Sequence, residues 1–187
     1  MKRHVLFAAW LAVVLQGCAT QPSPQLPAAR PPELTPIEAQ GDYTHQPSHA
    51  LIPAEIAGFR RVSLFRRGAD GQRLTVSYAG GTPECTTAIT LFLDPADPPD
   101  SVDKAYATAK DEVTHAYPSA TLEREESRDD PALKGKRALF LIDYRRMEVG
   151  VVIAQKAWYV KHRVIFPAQC TEAVHNSLNG FFPGWAH

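Results

Sequence analysis

The stretch TAITLFLDPADPPDSVDKAYATAKDEVTHAYP, residues 87–118, changes its hydrophobic period once and so sets the centre of the fold. Residues 87–93 are apolar and rich in β-branched side chains, which predicts a strand that ends at an Asp-Pro pair. From Ser101 onward the apolar residues recur at helical spacing and stop at Pro118. A strand followed by an amphipathic helix over residues 101–117 is therefore predicted.

Further strands are predicted on both sides of this pair. Residues 59–66 and 73–78 are joined by an Asp-Gly turn, which predicts a hairpin. After the helix come a short strand and three closely spaced apolar runs that predict an antiparallel meander, followed by a second helix: these are residues 120–125, 137–144, 149–155, 158–166 and 171–178. The predicted class is α+β, with the order β-β-β-α-β-β-β-β-α and two helices packed on an antiparallel sheet.

This order of elements resembles that of the PsbP-like sandwich. The likeness is carried by the element order alone, because no sequence motif of that family is present. It therefore implies a fold and no active site.

The amino terminus has the pattern of an export signal. Lys2 and Arg3 precede an apolar run over residues 5–15, which is too short to span a bilayer and has the length of a signal-peptide core. The run ends in LQGC, residues 15–18, with an aliphatic residue three positions before the bond between Gly17 and Cys18. Residues 1–17 are therefore predicted to be a signal peptide.

The LQGC sequence resembles the lipobox of bacterial lipoproteins. The resemblance implies cleavage between Gly17 and Cys18, a diacylglyceryl group on the Cys18 thiol, and fatty acylation, for example with palmitate, of the new amino group. With Ala19 rather than Asp after the cysteine, it also implies an outer-membrane lipoprotein facing the periplasm. The alternative is an ordinary secretory signal in which Cys18 falls at the boundary by chance.

A linker is predicted after the lipidated cysteine. Residues 18–52 are rich in Pro, Gln, Ser and Ala and contain few aromatic residues, so they are expected to stay extended and to hold the domain off the membrane. The alternative is an irregular arm packed on the domain. The remaining residues, 53–187, have the size of a single domain.

The cysteines predict a disulfide. If Cys18 carries lipid, Cys85 and Cys170 remain as a pair in an exported chain, where an oxidising compartment favours their bond. Metal binding by these two thiols is the weaker alternative, because neither lies in a Cys-x-x-Cys or Cys-x-x-His spacing.

The charge balance and the absence of certain motifs argue against several classes of protein function. Lys and Arg number 20 and Asp and Glu number 20, and loss of Lys2 and Arg3 with the signal leaves 18 against 20. A nucleic-acid partner is not expected without a basic excess. No nucleophile elbow, phosphate-binding loop or zinc-protease motif occurs in the sequence. The acidic stretch over residues 94–103 suits a solvated helix start better than a metal site, so no metal and no cofactor are predicted.

His162 is the one side chain that stands out as a possible ligand contact. Alternation along residues 158–166 places it on an apolar face, where a hydrogen-bonded structural histidine is the favoured interpretation over a ligand or a general base. His115 and His175 are predicted at the surface of the two helices. The arginine pairs at 60–61, 66–67 and 145–146 suggest either solvated strand faces, which are favoured, or an anion-binding patch.

Two functions remain compatible with these features. The first is a membrane-anchored envelope lipoprotein whose domain is a non-enzymatic module that binds an envelope protein or a wall component. The second is an envelope hydrolase with a site near His162. The carboxyl-terminal FFPGWAH is expected to cover the core through Phe181, Phe182 and Trp185, with docking of a partner as the alternative.

Overall fold

The elements from residue 59 onward follow the predicted order, and four further strands precede them. The computed structural model describes residues 33–96, 101–130, 133–154 and 158–182. Its strands are β1 (Leu34–Pro36), β2 (Tyr43–His45), β3 (Ala50–Ile52), β4 (Glu55–Ile56), β5 (Phe59–Arg67), β6 (Arg73–Gly80), β7 (Thr87–Pro95), β8 (Thr121–Asp130), β9 (Leu133–Ile142), β10 (Arg145–Ala154) and β11 (Trp158–Pro167), and its α-helices are α1 (Ser101–Ala116) and α2 (Thr171–Phe181). The predicted α+β class is confirmed. The predicted signal peptide, Gly17 and Cys18 lie outside the described residues.

One antiparallel sheet of nine strands forms the middle layer. Its order is β1-β5-β6-β7-β11-β10-β9-β8, and β4 pairs with β5 beside this path. The pairings β5–β6–β7 and β8–β9–β10–β11 join neighbours in the chain, as the predicted hairpin and meander require. The central pairing of β7 with β11 joins these two halves.

The two helices cover opposite faces of the sheet. On the α1 face, Tyr106 and Val113 of α1 pack with Met147, Val149 and Val151 of β10. On the α2 face, buried residues of α2 pack with those of β11 and β7; they are Val174, Leu178, Phe181, Val164, Phe166, Ile89, Leu91 and Leu93. Because strand side chains alternate between faces, β9, β10 and β11 contribute to both cores, whereas the buried residues of β5, β6 and β7 belong to the α2-face core.

The domain begins earlier than predicted, which corrects the linker assigned to residues 18–52. Strands β1–β3 lie within that range, and Ile52 has no exposed surface in the α2-face core. The Arg61 guanidinium donates hydrogen bonds to the carbonyl oxygens of Ile52, Ala39 and Gly41. The segment over residues 33–52 is thus held by tertiary contacts, which its composition does not reveal.

Helix α2 also continues past its predicted end at residue 178. Gly180 lies inside its last turn, and α2 ends at Phe181. Phe181 has no exposed surface and Phe182 is also buried. The prediction that these two aromatic residues cover the core is confirmed, and Trp185 lies outside the described residues.

Candidate functional site

A cluster of charged side chains lies on the α2 face in the second half of the sheet. The antiparallel register aligns Glu126 of β8 with Arg137 of β9, Arg137 with Gly150 of β10, and Gly150 with His162 of β11. Glu148 lies two residues before Gly150, so it projects from the same face. His162, which alternation predicted on an apolar face, therefore lies beside a buried carboxylate.

Gly150 makes room for the His162 ring. A Cβ atom built at Gly150 would lie 2.4 Å from His162 Cε1 and 2.7 Å from the Lys136 carbonyl oxygen. Side-chain carbon atoms do not approach other heavy atoms so closely, so the imidazole occupies the space that a larger residue would fill. The absence of a side chain at position 150 is thus part of the cluster.

Glu148 is the centre of the cluster. Its Oε1 lies 3.3 Å from His162 Nε2 and its Oε2 lies 3.4 Å from Arg137 Nη1. His175 of α2 places Nε2 3.3 Å from the same Oε2, without hydrogen-bond geometry, so this contact is electrostatic. The Glu148 side chain is 1% exposed and that of His162 is 3% exposed. Three nitrogen groups thus surround one buried carboxylate.

The environment of Glu148 favours its ionised form. Burial by itself raises the pKa of this carboxyl, because a charge is poorly solvated inside the domain. The contacts with His162 and His175 and the positive charge of Arg137 outweigh burial and hold the pKa of Glu148 well below its usual range. Glu148 is therefore an anion at neutral pH and attracts the groups around it.

Arg137 links the buried carboxylate to the surface. Its Nε and Nη2 atoms donate to Glu126 Oε2 at 2.8 Å and 2.5 Å. The hydrogen bonds from Arg137 lower the pKa of Glu126 as well. Arg137 thus bridges two carboxylates, one buried and one half-buried, and needs no solvent to balance its charge.

His162 is enclosed on its remaining side. The Phe182 ring lies 4.5 Å from the imidazole, centroid to centroid, and Nδ1 of His162 is buried and has no hydrogen-bond partner within the part of the chain that the structure describes. A carboxylate–imidazole pair is the arrangement that orients a general base. Among the described residues, however, no hydroxyl or thiol is hydrogen-bonded to this imidazole. The geometry suits a structural role better than proton transfer to a substrate.

Of the other predicted residues, some lie where the sequence placed them and one does not. Cys85 and Cys170 form a disulfide with a Cα–Cα distance of 5.6 Å, which confirms the predicted pair and fastens the start of α2 to the segment before β7. His115 is exposed on α1, as expected. His175 is not a free surface residue, and its predicted place is wrong, because the helix turns it toward Glu148.

Sequence reasoning missed Glu148, Arg137 and His175 as members of one cluster. Strand β10 was predicted to begin at Val149, one residue too late to include Glu148, whereas it begins at Arg145. The available signal was a lone acidic residue within MEVGVV, residues 147–152. An acidic residue between apolar residues in a strand indicates a buried charge that needs a partner.

Two surface pockets lie away from this cluster. The first, about 240 Å³, is lined by Tyr117, Ile142, Asp143, Tyr144, Arg145, Arg146, Met147 and Ile165. The second is a wider groove of about 530 Å³, lined by Glu55 of β4, by Gly58, and by residues of β5, of β6 and of the segment that follows β6. Neither pocket is lined by His162 or Glu148.

Within the described ranges, no group of three or more His, Cys, Asp or Glu side chains is placed to hold a metal ion. None of the helices in the described part of the chain has the length and apolar character needed to cross a membrane. Comparisons with protein-family models, with curated proteins and with solved structures find no match to this chain.

Proposed function

We propose that the chain is a lipid-anchored lipoprotein of the cell envelope and that its domain is a non-enzymatic binding module. The observation that carries this proposal is the disulfide. The sequence has three cysteines, and the bond between Cys85 and Cys170 leaves Cys18 as the one without a cysteine partner. A disulfide is typical of an oxidising compartment, and Cys18 stands where the lipobox places the acylated residue.

The anchor accounts for membrane attachment without a spanning helix. Two or three acyl chains on Cys18 hold a protein stably at a bilayer, since each buried methylene contributes about 0.8 kcal/mol. The segment between Cys18 and β1 then connects the lipid to the domain. We place the domain in the periplasm at the outer membrane, with an envelope protein or a wall component as its partner.

Cell fractionation tests the anchor. The native chain is expected in the membrane fraction, and Cys18→Ser is expected to release it to the soluble fraction or to leave its signal uncleaved. Ala19→Asp is the matched control, because it keeps the acylated cysteine and should change only which membrane holds the protein. If Cys18→Ser partitions with membranes as the native chain does, the anchor proposal is wrong.

An envelope hydrolase remains the second candidate, favoured by the contact between Glu148 and His162. The burial of both side chains weighs against it, because a substrate must reach a general base. His162→Gln separates the two functions. If His162 is structural, the variant should have a lower melting temperature and should retain ligand binding. If His162 is catalytic, the variant should lose turnover on ester or amide substrates at unchanged stability.

A further inference from the structure

The pocket of about 240 Å³ has an apolar floor and an aromatic rim. Met147, with 2% of its surface exposed, and the half-buried Ile142 and Ile165 form apolar parts of its lining. Tyr117, just beyond α1, and Tyr144, in the turn between β9 and β10, add two aromatic rings. Tyr144 is 73% exposed, and an aromatic side chain so exposed beside an apolar recess is typical of a binding surface.

Arg145 supplies a free positive charge at this rim. Among the described residues no carboxylate forms an ion pair with it, Asp143 of the same pocket included, and its guanidinium carbon lies 5.7 Å from the Tyr144 ring. The neighbouring Arg146 points to the opposite face and is occupied, because it donates to Glu123, to the Ala168 carbonyl and to Thr171 Oγ1. The pocket thus combines the available Arg145 cation and the Asp143 carboxylate with an apolar interior.

These features define the ligand. One unpaired arginine suits a single negative charge, and a planar carboxylate can accept two hydrogen bonds from its fork of donors. A floor of Ile and Met side chains takes an apolar group. A pocket of about 240 Å³ has room for a single side chain.

We propose that this pocket binds the terminal carboxylate of a peptide whose last side chain is apolar. The side chain enters between Tyr117 and Tyr144, and the carboxylate pairs with Arg145. An arginine beside an apolar recess recognises the terminal charge and the last side chain of a peptide at the same time. This inference rests on the proposed binding function and names its ligand class.

Calorimetric titration with short synthetic peptides tests the proposal. The probe is an N-acetylated tetrapeptide that ends in phenylalanine with a free carboxylate, and its carboxamide is the matched control ligand. The carboxylate form is expected to bind about tenfold or more tightly than the amide, because a hydrogen bond to a charged group is lost in the amide. A second arm with a peptide that ends in D-alanine distinguishes a wall peptide from a protein terminus as the natural source.

Variants assign the binding to the pocket. Arg145→Gln is expected to remove the preference for the carboxylate, and Tyr144→Ala is expected to weaken both peptide forms. Arg60→Gln is the matched control, since Arg60 is likewise exposed and without an ion pair among the described residues but lies four strands away on β5. Both arginines are exposed, so melting temperatures should not change.

Equal affinity for carboxylate and amide, or equal loss in Arg145→Gln and Arg60→Gln, would overturn the proposal. Absence of binding by the native chain at millimolar peptide would overturn it as well. In that event fractionation of Cys18→Ser still decides the anchor independently. Failure of this ligand class and failure of the lipoprotein proposal are therefore distinguishable.

Discussion

The Glu148 carboxylate and the His162 imidazole lie 3.3 Å apart on adjacent strands, and both side chains are almost completely buried. A buried carboxylate is costly unless charged or hydrogen-bonded groups surround it. Here two histidines and Arg137 do so, and one of these histidines comes from α2. Glu148 therefore links helix α2 to the sheet through His175.

Loss of the central charge should destabilise the domain strongly. Glu148→Gln removes the anion and leaves Arg137 and the two histidines around a neutral group, so the free energy of unfolding should fall by about 3 kcal/mol. Urea denaturation measures this loss. Glu123→Gln is the control, because its ion pair with Arg146 lies nearer the surface and should contribute about 1 kcal/mol or less. Equal losses in the two variants would contradict the central role of Glu148.

Acidification should weaken the same interaction. The pKa of Glu148 in the folded chain lies below the ordinary value of 4.5, so in the acidic range the unfolded chain binds more protons than the folded one. The contribution of Glu148 is present above about pH 4.5 and is lost as the pH falls through the folded pKa. The stability difference between the native chain and Glu148→Gln should therefore shrink on acidification from pH 6 to pH 3. A difference that stays constant over this range would be incompatible with an ionised Glu148.

The packing of His162 predicts a sharp dependence on the residue at position 150. Gly150→Ala places a methyl group against the imidazole and the Lys136 carbonyl, so the free energy of unfolding should fall by about 2 kcal/mol. Gly41→Ala is the matched control, because a Cβ at Gly41 meets nothing within 4 Å. Thermal melting of both variants measures the difference. Similar melting temperatures for the two variants would contradict the tight packing at position 150.

Periodicity predicted the strands and helices whose own sequence determines them. The change from period two in β7 to helical spacing in α1 is a local signal, and the structure agrees with it. Strands β1–β3 are three residues each and depend on distant contacts such as those of Arg61, so their sequence alone gives no comparable signal. Contacts between residues that are far apart in the sequence depend on tertiary structure.

The candidate site was predictable only in part, for the same reason. Alternation gave the correct face for His162, because side-chain direction in a strand is a local property. It could not show that Glu148 lies on the neighbouring strand in the same row, since that depends on register. Nor could it show that His175 turns inward, since that depends on how α2 is placed over the sheet.

The disulfide, which is typical of an oxidising compartment, should also stabilise the folded domain. Cys85 and Cys170 are separated by 85 residues, and in the chain-entropy model closure of a loop of that length stabilises the fold by roughly 4 to 5 kcal/mol. Reduction should lower the melting temperature and speed proteolysis at α2, whose first turn follows Cys170. Thiol labelling of unfolded, unreduced protein is the control and should find neither cysteine free. Two reactive thiols in that sample would contradict the bond.

The lipid on Cys18 is the central claim, and mass spectrometry of the mature amino terminus tests it most directly. The protein purified from membranes in detergent is digested, and the amino-terminal peptide is measured intact. We expect a peptide that begins at Cys18 and carries the added mass of a diacylglyceryl group and an amide-linked acyl chain. An unmodified Cys18 thiol, or a mature chain that begins at another residue, would contradict it.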